Sequence, residues 1–145
     1  LAQPPARDVT GDALPIVTQS GYTDNTVELP QNVDVVFNVL YYHDLPLNDI
    51  DTASLNQRIF DALKPGGIYA VVDHSRRHME GDSNENRRRM DPVLAIKEIQ
   101  AAGFELVDFS DLHYRPDDEL RYEVGRRTVT GNTDRWTLKF RKVER

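Results

Sequence analysis

The chain has 145 residues, 39% of them hydrophobic, which allows one modest core and leaves little for a second. Its 24 acidic and 18 basic side chains give a formal charge of −6, the wrong sign for a surface built to gather phosphates, so no nucleic-acid partner is expected. It has no cysteine, which excludes disulfides, thiolate metal sites and cysteine nucleophiles. No apolar run approaches the ~20 residues of a membrane span, so a soluble chain without a membrane partner is expected.

Residues 1–32 are rich in Pro, Asp, Thr and Gln, with short apolar patches at Leu14 to Val17 and Val27 to Leu29. They predict a loop-rich segment with one edge strand. The opening Leu1-Ala2-Gln3-Pro4-Pro5-Ala6 fits a processed end as well as a cut within a longer chain. From Val33 the character changes: Val33 to Leu40 is nearly continuous in β-branched and aromatic residues, as in a central parallel strand covered on both faces.

After a polar loop, Asp51 or Thr52 can cap a helix in which Leu55, Ile59 and Leu63 recur every four residues, with Phe60 widening the stripe. Lys64-Pro65-Gly66-Gly67 stops it, since proline cannot extend the hydrogen-bond ladder and glycine tolerates positive φ. Ile68 to Asp73 then reads as a second buried strand, completing a βαβ unit. Residues 74–90 are charged and aperiodic. The run Arg87-Arg88-Arg89 sits there among Glu80, Asp82, Glu85 and Asp91, and reads as part of a solvated, mixed-charge loop.

Asp91-Pro92 supplies an N-cap followed by proline at the first helical position. Ile96, Ile99 and Ala102 face inward along this helix, Gly103 ends it, and Phe104 to Phe109 reads as a third strand. Residues 111–135 are polar and turn-rich. In the last strand Trp136, Leu138 and Phe140 alternate with Thr137, Lys139 and Arg141, which suggests one buried face and an antiparallel partner at the end of a mixed sheet.

Ligands in an open α/β sheet bind outside the carboxyl ends of the strands. The first strand ends Asn38-Val39-Leu40-Tyr41-Tyr42-His43-Asp44 and the second ends Asp73-His74-Ser75. Two strand ends thus deliver a carboxylate beside a histidine, the material of a general acid/base pair or of a hard-metal site. The other reading of each pair is an Asp that caps the next turn beside a hydrogen-bonded surface His. No two glycines stand in G-x-G spacing, so a glycine-rich phosphate cradle is absent.

The stretch from Val33 to Asp73, with its Tyr42-His43-Asp44 and Asp73-His74-Ser75 strand ends around Lys64-Pro65-Gly66-Gly67, resembles the fourth and fifth strand region of class I S-adenosylmethionine-dependent methyltransferases. It is most similar to a bacterial group of predicted methyltransferases. The likeness continues through Arg89-Met90-Asp91-Pro92, Glu98 to Leu106, Pro116-Asp117-Asp118 and Thr133 to Lys142. It implies a Rossmann-like α/β fold with a seven-stranded mixed sheet whose last strand runs antiparallel, residues 33–145 forming the C-terminal part of the domain. The family's first strands, its Gly-rich loop and its ribose-binding acid have no match in residues 1–32. Where relatives carry a histidine before the arginine of the helix cap, this chain has Arg88.

What the resemblance implies for function is methyl transfer from S-adenosylmethionine to a small-molecule acceptor, with Asn38, Val39, Leu40 and Tyr41 against the methionine portion of the cofactor. His43 or His74 would accept the acceptor's proton, Asp44 or Asp73 would orient the imidazole, and Tyr41 and Tyr42 would shape the pocket. Two alternatives stand beside this. One is a non-catalytic module that binds or dimerises through an exposed sheet edge. The other is a metal-assisted hydrolase with His43, Asp44, Asp73 and His74 as ligands, disfavoured because adjacent His-Asp positions on a loop rarely aim both side chains at one ion.

Overall fold

A computed structural model describes residues 29–144. The expected edge strand and loops within residues 1–28 lie outside the described residues. Strand β1 (Val33–Val39) is followed by a single helical turn, α1 (Asp44–Leu47), helix α2 (Thr52–Ala62), strand β2 (Leu63–His74), helix α3 (Pro92–Ala101), strand β3 (Phe104–Ser110) and strand β4 (Arg135–Lys142). Sequence patterning anticipated all of these except α1, whose four residues are too few to show a period.

The strands form one mixed sheet in the order β1-β2-β4-β3. β1 and β2 are parallel, while β4 runs antiparallel to both β2 and β3. The alternation at the end of the sequence is thus the antiparallel strand it suggests. Four strands are present among the described residues, against the seven that the resemblance implies.

Both longer helices start as the sequence predicts. The Asp51 side chain accepts from Ala53 N and the Asp91 side chain from Val93 N, satisfying amide groups that a helix start leaves unpaired. They cover one face of the sheet. Tyr69, Val71, Trp136, Leu138 and Phe140 bury there against Ile59, Phe60, Ala95 and Ile99. Phe104 stands edge-on to Phe60 at 5.1 Å and tilted to Tyr69 at 5.4 Å, an aromatic cluster in which each pair contributes about 0.5–1.5 kcal/mol beyond its buried area.

Two local expectations change. Leu63 is the first residue of β2 rather than the last apolar position of the helix, and Lys64 to Gly67 bulge between the pairs Val33 with Leu63 and Val35 with Ile68. Gly66 takes φ +74°, and a Cβ on Gly67 would come within 2.8 Å of the Lys64 carbonyl oxygen, so the bulge needs its glycines.

β1 is not a central strand among the described residues. It is the outer strand, with Val35, Phe37 and Val39 exposed on the face away from the helices. Its continuous apolar run reads as two-sided burial, yet only the α2 and α3 side is covered by described elements. No helix among them is long and apolar enough to cross a membrane.

Candidate active site

The backbone leaves β1 through Leu40 at φ 55°, in the left-handed region that a branched side chain avoids at a cost of about 1–2 kcal/mol. Its N–H is still bonded to the Val72 carbonyl at 2.8 Å. The strain therefore sits at the mouth between β1 and β2, where an open parallel sheet holds its ligands. Tyr42 and His43 then turn inward and are buried.

Asp73, near the end of β2, shares the helix-covered face with Tyr69 and Val71 and is fully buried. Its Oδ2 accepts the backbone N–H of His43 at 2.7 Å, and its Oδ1 accepts that of His74 at 2.7 Å. The same Oδ1 lies 2.5 Å from Nδ1 of His43. On the opposite edge of that ring, Nε2 is 3.2 Å from Asp44 Oδ1. A carboxylate at Nδ1 favours an N–H on that nitrogen, and a second carboxylate stands at Nε2.

His74 turns elsewhere. Its Nδ1 is 2.7 Å from Thr133 Oγ1, and its ring centroid is 5.7 Å from that of His43. Burial, then repulsion from His43, Arg135, Arg89 and Arg88, pushes its pKa down to about 3, which keeps the imidazole neutral at neutral pH. The structure brings His43, Asp44 and Asp73 together, whereas His74 meets the other three only through its backbone and ring edge. Among the described residues no three His, Asp or Glu side chains form a group that could hold a metal ion. The side-chain N and O atoms of His43, Asp44 and Asp73 are turned on one another, and Nδ1 of His74 is turned on Thr133.

Of the residues expected along the cofactor, Asn38 is buried, and its Nδ2 donates to Tyr69 Oη at 3.1 Å while its Oδ1 is buried without a partner. Val39 lies exposed on the opposite face, as strand alternation requires. Leu40 and Tyr41 sit at the strand end, with Tyr41 partly buried against the core. Tyr42 donates from Oη to Glu98 Oε2 and accepts from Asn56 Nδ2, each at 2.9 Å, which ties the β1 exit to both long helices. Burial raises the pKa of Glu98 and lifts that of Tyr42 far beyond the phenol range.

Arg89 corrects the expectation of a solvated arginine run. Its side chain is fully buried and forks onto Asp118, with Nη1 to Oδ2 at 2.9 Å and Nη2 to Oδ1 at 3.0 Å. Its remaining donors reach the carbonyls of Tyr122 and Ser75. Asp118 also accepts the N–H of Asp134 at 2.7 Å, beside the Thr133 that meets His74. Arg89, Asp118, Thr133, Glu98 and Asn56 are the site-supporting residues that residue-level reasoning missed. All five stand within the segments that carry the family resemblance, the one signal that could have found them.

Two hollows adjoin this network. An inner pocket of about 180 Å³ is lined by Tyr42, His43, Leu47, Met90, Leu94 and Glu98 among others. An outer cleft of about 590 Å³ is lined by Asp44, Leu47, Asn84, Arg87, Arg88 and Glu123 among others.

No family model and no curated protein matches the sequence. Solved structures do match in shape. The chain is similar to the (4+2)-cyclase SpnF at TM-score 0.57 and 19% identity, over 86% of this chain and 55% of that one. It is similar to an S-adenosylmethionine-dependent methyltransferase from Aquifex aeolicus at TM-score 0.55 and 15% identity, over 84% and 53%. Human N-acetylserotonin methyltransferase, solved in complex with S-adenosylmethionine, matches at TM-score 0.56 and 17% identity, over 87% and 33%. The chain therefore has the Rossmann-like fold of S-adenosylmethionine-dependent methyltransferases. It spans about half the length of the first two structures.

Proposed function

We propose that this chain is the C-terminal part of an S-adenosylmethionine-dependent methyltransferase that acts on a small molecule, with His43 accepting the proton of the methyl acceptor. A fold of this kind also serves a cyclase, so the reading rests on the site rather than on the fold. The observation that carries it is the buried contact of Asp73 with His43 Nδ1 at the mouth between two parallel strands.

Asn38 to Tyr41 would hold the methionine portion of the cofactor. Asn38 Oδ1 suits that role, as a buried acceptor with no partner among the described residues, beside an amino acid portion that brings N–H donors. When bound, the cofactor supplies a methyl group on a sulfonium, which needs no covalent intermediate on the protein.

The work left to this chain is alignment and proton removal. Alignment provides the larger share, since effective molarities for well-oriented groups reach ~10⁵ M or more. Proton removal falls to His43 Nε2. Asp73 holds the ring by Nδ1, and a proton arriving at Nε2 meets Asp44 at 3.2 Å, so the resulting cation is flanked by carboxylate on both edges. Tyr42, anchored on Glu98 and Asn56, keeps the wall of the pocket in place.

Isothermal titration with S-adenosylhomocysteine tests this reading, because the demethylated cofactor cannot turn over. Binding at micromolar strength supports a cofactor site to which this chain contributes. A chain that is folded by circular dichroism yet gives no binding up to millimolar ligand contradicts it.

A further inference from the structure

The outer cleft holds one guanidinium without a partner among the described residues. Asp44 on its wall faces His43, Arg88 is paired with Glu123, and the second Glu123 oxygen accepts the N–H of Gly125. Arg87 makes no ion pair or hydrogen bond among the described residues, yet it lines the same cleft and is exposed to it. In a chain of net charge −6, the wall beside the His43 and Asp44 pair thus presents one free guanidinium. A guanidinium offers a planar fork of donors that matches a carboxylate.

The inner pocket sets the size of what lies beyond. It shares Leu47 and Arg88 with the outer cleft, so the two hollows adjoin at these residues. Its volume of about 180 Å³ is close to that of an apolar cavity of ~150 Å³ known to take up benzene. Pro46, Leu47, Met90 and Leu94 supply apolar walls, His43 and Glu98 stand among them, and the ion-paired Arg76, Asp82, Arg88 and Arg89 make the rest of the lining charged.

We propose that the acceptor is a small hydroxylated carboxylic acid, its carboxylate on Arg87 in the outer cleft and a body of about one ring in the inner pocket. The orientation, with the hydroxyl toward His43, rests on the role given to His43 above, while the charge and the size do not. A carboxylate fits better than a phosphate. One free cation balances one negative charge, and Asp44 and Glu123 on the same wall oppose a second.

The test is isothermal titration of the chain with 4-hydroxybenzoate, with the neutral 4-hydroxybenzyl alcohol and with phenyl phosphate. The acid is expected to bind about tenfold more tightly than the alcohol, as for one charge-assisted contact. Arg87→Gln removes that advantage. Arg127→Gln, an exposed arginine that lines neither hollow, preserves it.

Equal binding of acid and alcohol overturns the proposal, as does an advantage that survives in Arg87→Gln or an absence of acid binding at millimolar concentration. Tighter binding of phenyl phosphate overturns the choice of carboxylate. S-adenosylhomocysteine, titrated in the same series, separates the two claims. Selectivity for the acid without cofactor binding leaves the carboxylate site standing and removes the methyltransferase reading, and the reverse pattern does the opposite.

Discussion

Asp73 Oδ1 lies 2.5 Å from His43 Nδ1 across 30 residues of sequence, and Asp73 Oδ2 accepts the backbone N–H of the same histidine at 2.7 Å. One carboxylate thus fixes both the main chain and the ring of His43. Asp73→Asn keeps the volume and loses the charge. It should lower unfolding free energy by about 1.5–3 kcal/mol, the range for a hydrogen bond to a charged group, as measured by urea titration. A loss below a few tenths would mean that the carboxylate does not hold the loop.

His74 makes stability depend on pH. Its folded pKa of about 3 lies below the unfolded value near 6.5, so the unfolded chain takes up the proton first as pH falls. Its contribution is complete above about pH 6.5 and is lost progressively down to about pH 3, with a limiting slope of about 1.4 kcal/mol per pH unit. Urea midpoints measured from pH 7 to pH 4 should fall, and more steeply than in His74→Gln. Parallel profiles for the two proteins would remove His74 as the cause.

The Arg89 and Asp118 pair anchors the segment between β3 and β4 that brings Thr133 to His74. Arg89→Met leaves a buried carboxylate without its counter-charge, and the expected cost is about 3–5 kcal/mol in denaturant unfolding. Adding Asp118→Asn should recover part of the loss, because the orphaned charge disappears while the amide oxygen still accepts one of the N–H groups of Leu120 and Asp134, which bond to separate carboxylate oxygens. A double variant less stable than Arg89→Met would show that the charge is not the source of the cost.

Strand β3 offers an internal comparison. Phe104 is 4% exposed and packs on Phe60 and Tyr69, while Phe109 on the same strand is 73% exposed. Phe104→Ala should cost about 3–5 kcal/mol and Phe109→Ala less than about 0.5 kcal/mol. Similar losses in the two variants would place Phe109 in a core that the structure does not show.

Local signals carried most of the fold into the sequence. Asp51 and Asp91-Pro92 announce helix starts, Gly103 announces a stop, and the alternation from Trp136 to Phe140 announces an antiparallel strand. These are readable because caps and periods depend on neighbours a few residues apart. The strand-end residues His43, Asp44, Asp73 and His74 were legible as material for a site, since topology places strand ends at the crevice.

Which carboxylate meets which imidazole was not legible. The Asp73 to His43 contact depends on the register between β1 and β2, and adjacency in sequence would have paired Asp73 with His74. Arg89 was misread for a similar reason. Its partner Asp118 is 29 residues away, and an arginine run among acids looks solvated until the fork is seen to close. The exposure of Phe37 was hidden too, because an apolar run reports what a strand could bury, not what covers it.

The most direct test of the central claim is nitrogen-detected proton NMR of the histidine rings, which reads the tautomer of His43. Bonding of Nδ1–H to a buried Asp73 should give one His43 ring proton at Nδ1, far downfield and slow to exchange, that is absent in Asp73→Asn. A ring that carries its proton at Nε2, or that averages freely between the two nitrogens, would contradict the account of His43 as an oriented proton acceptor.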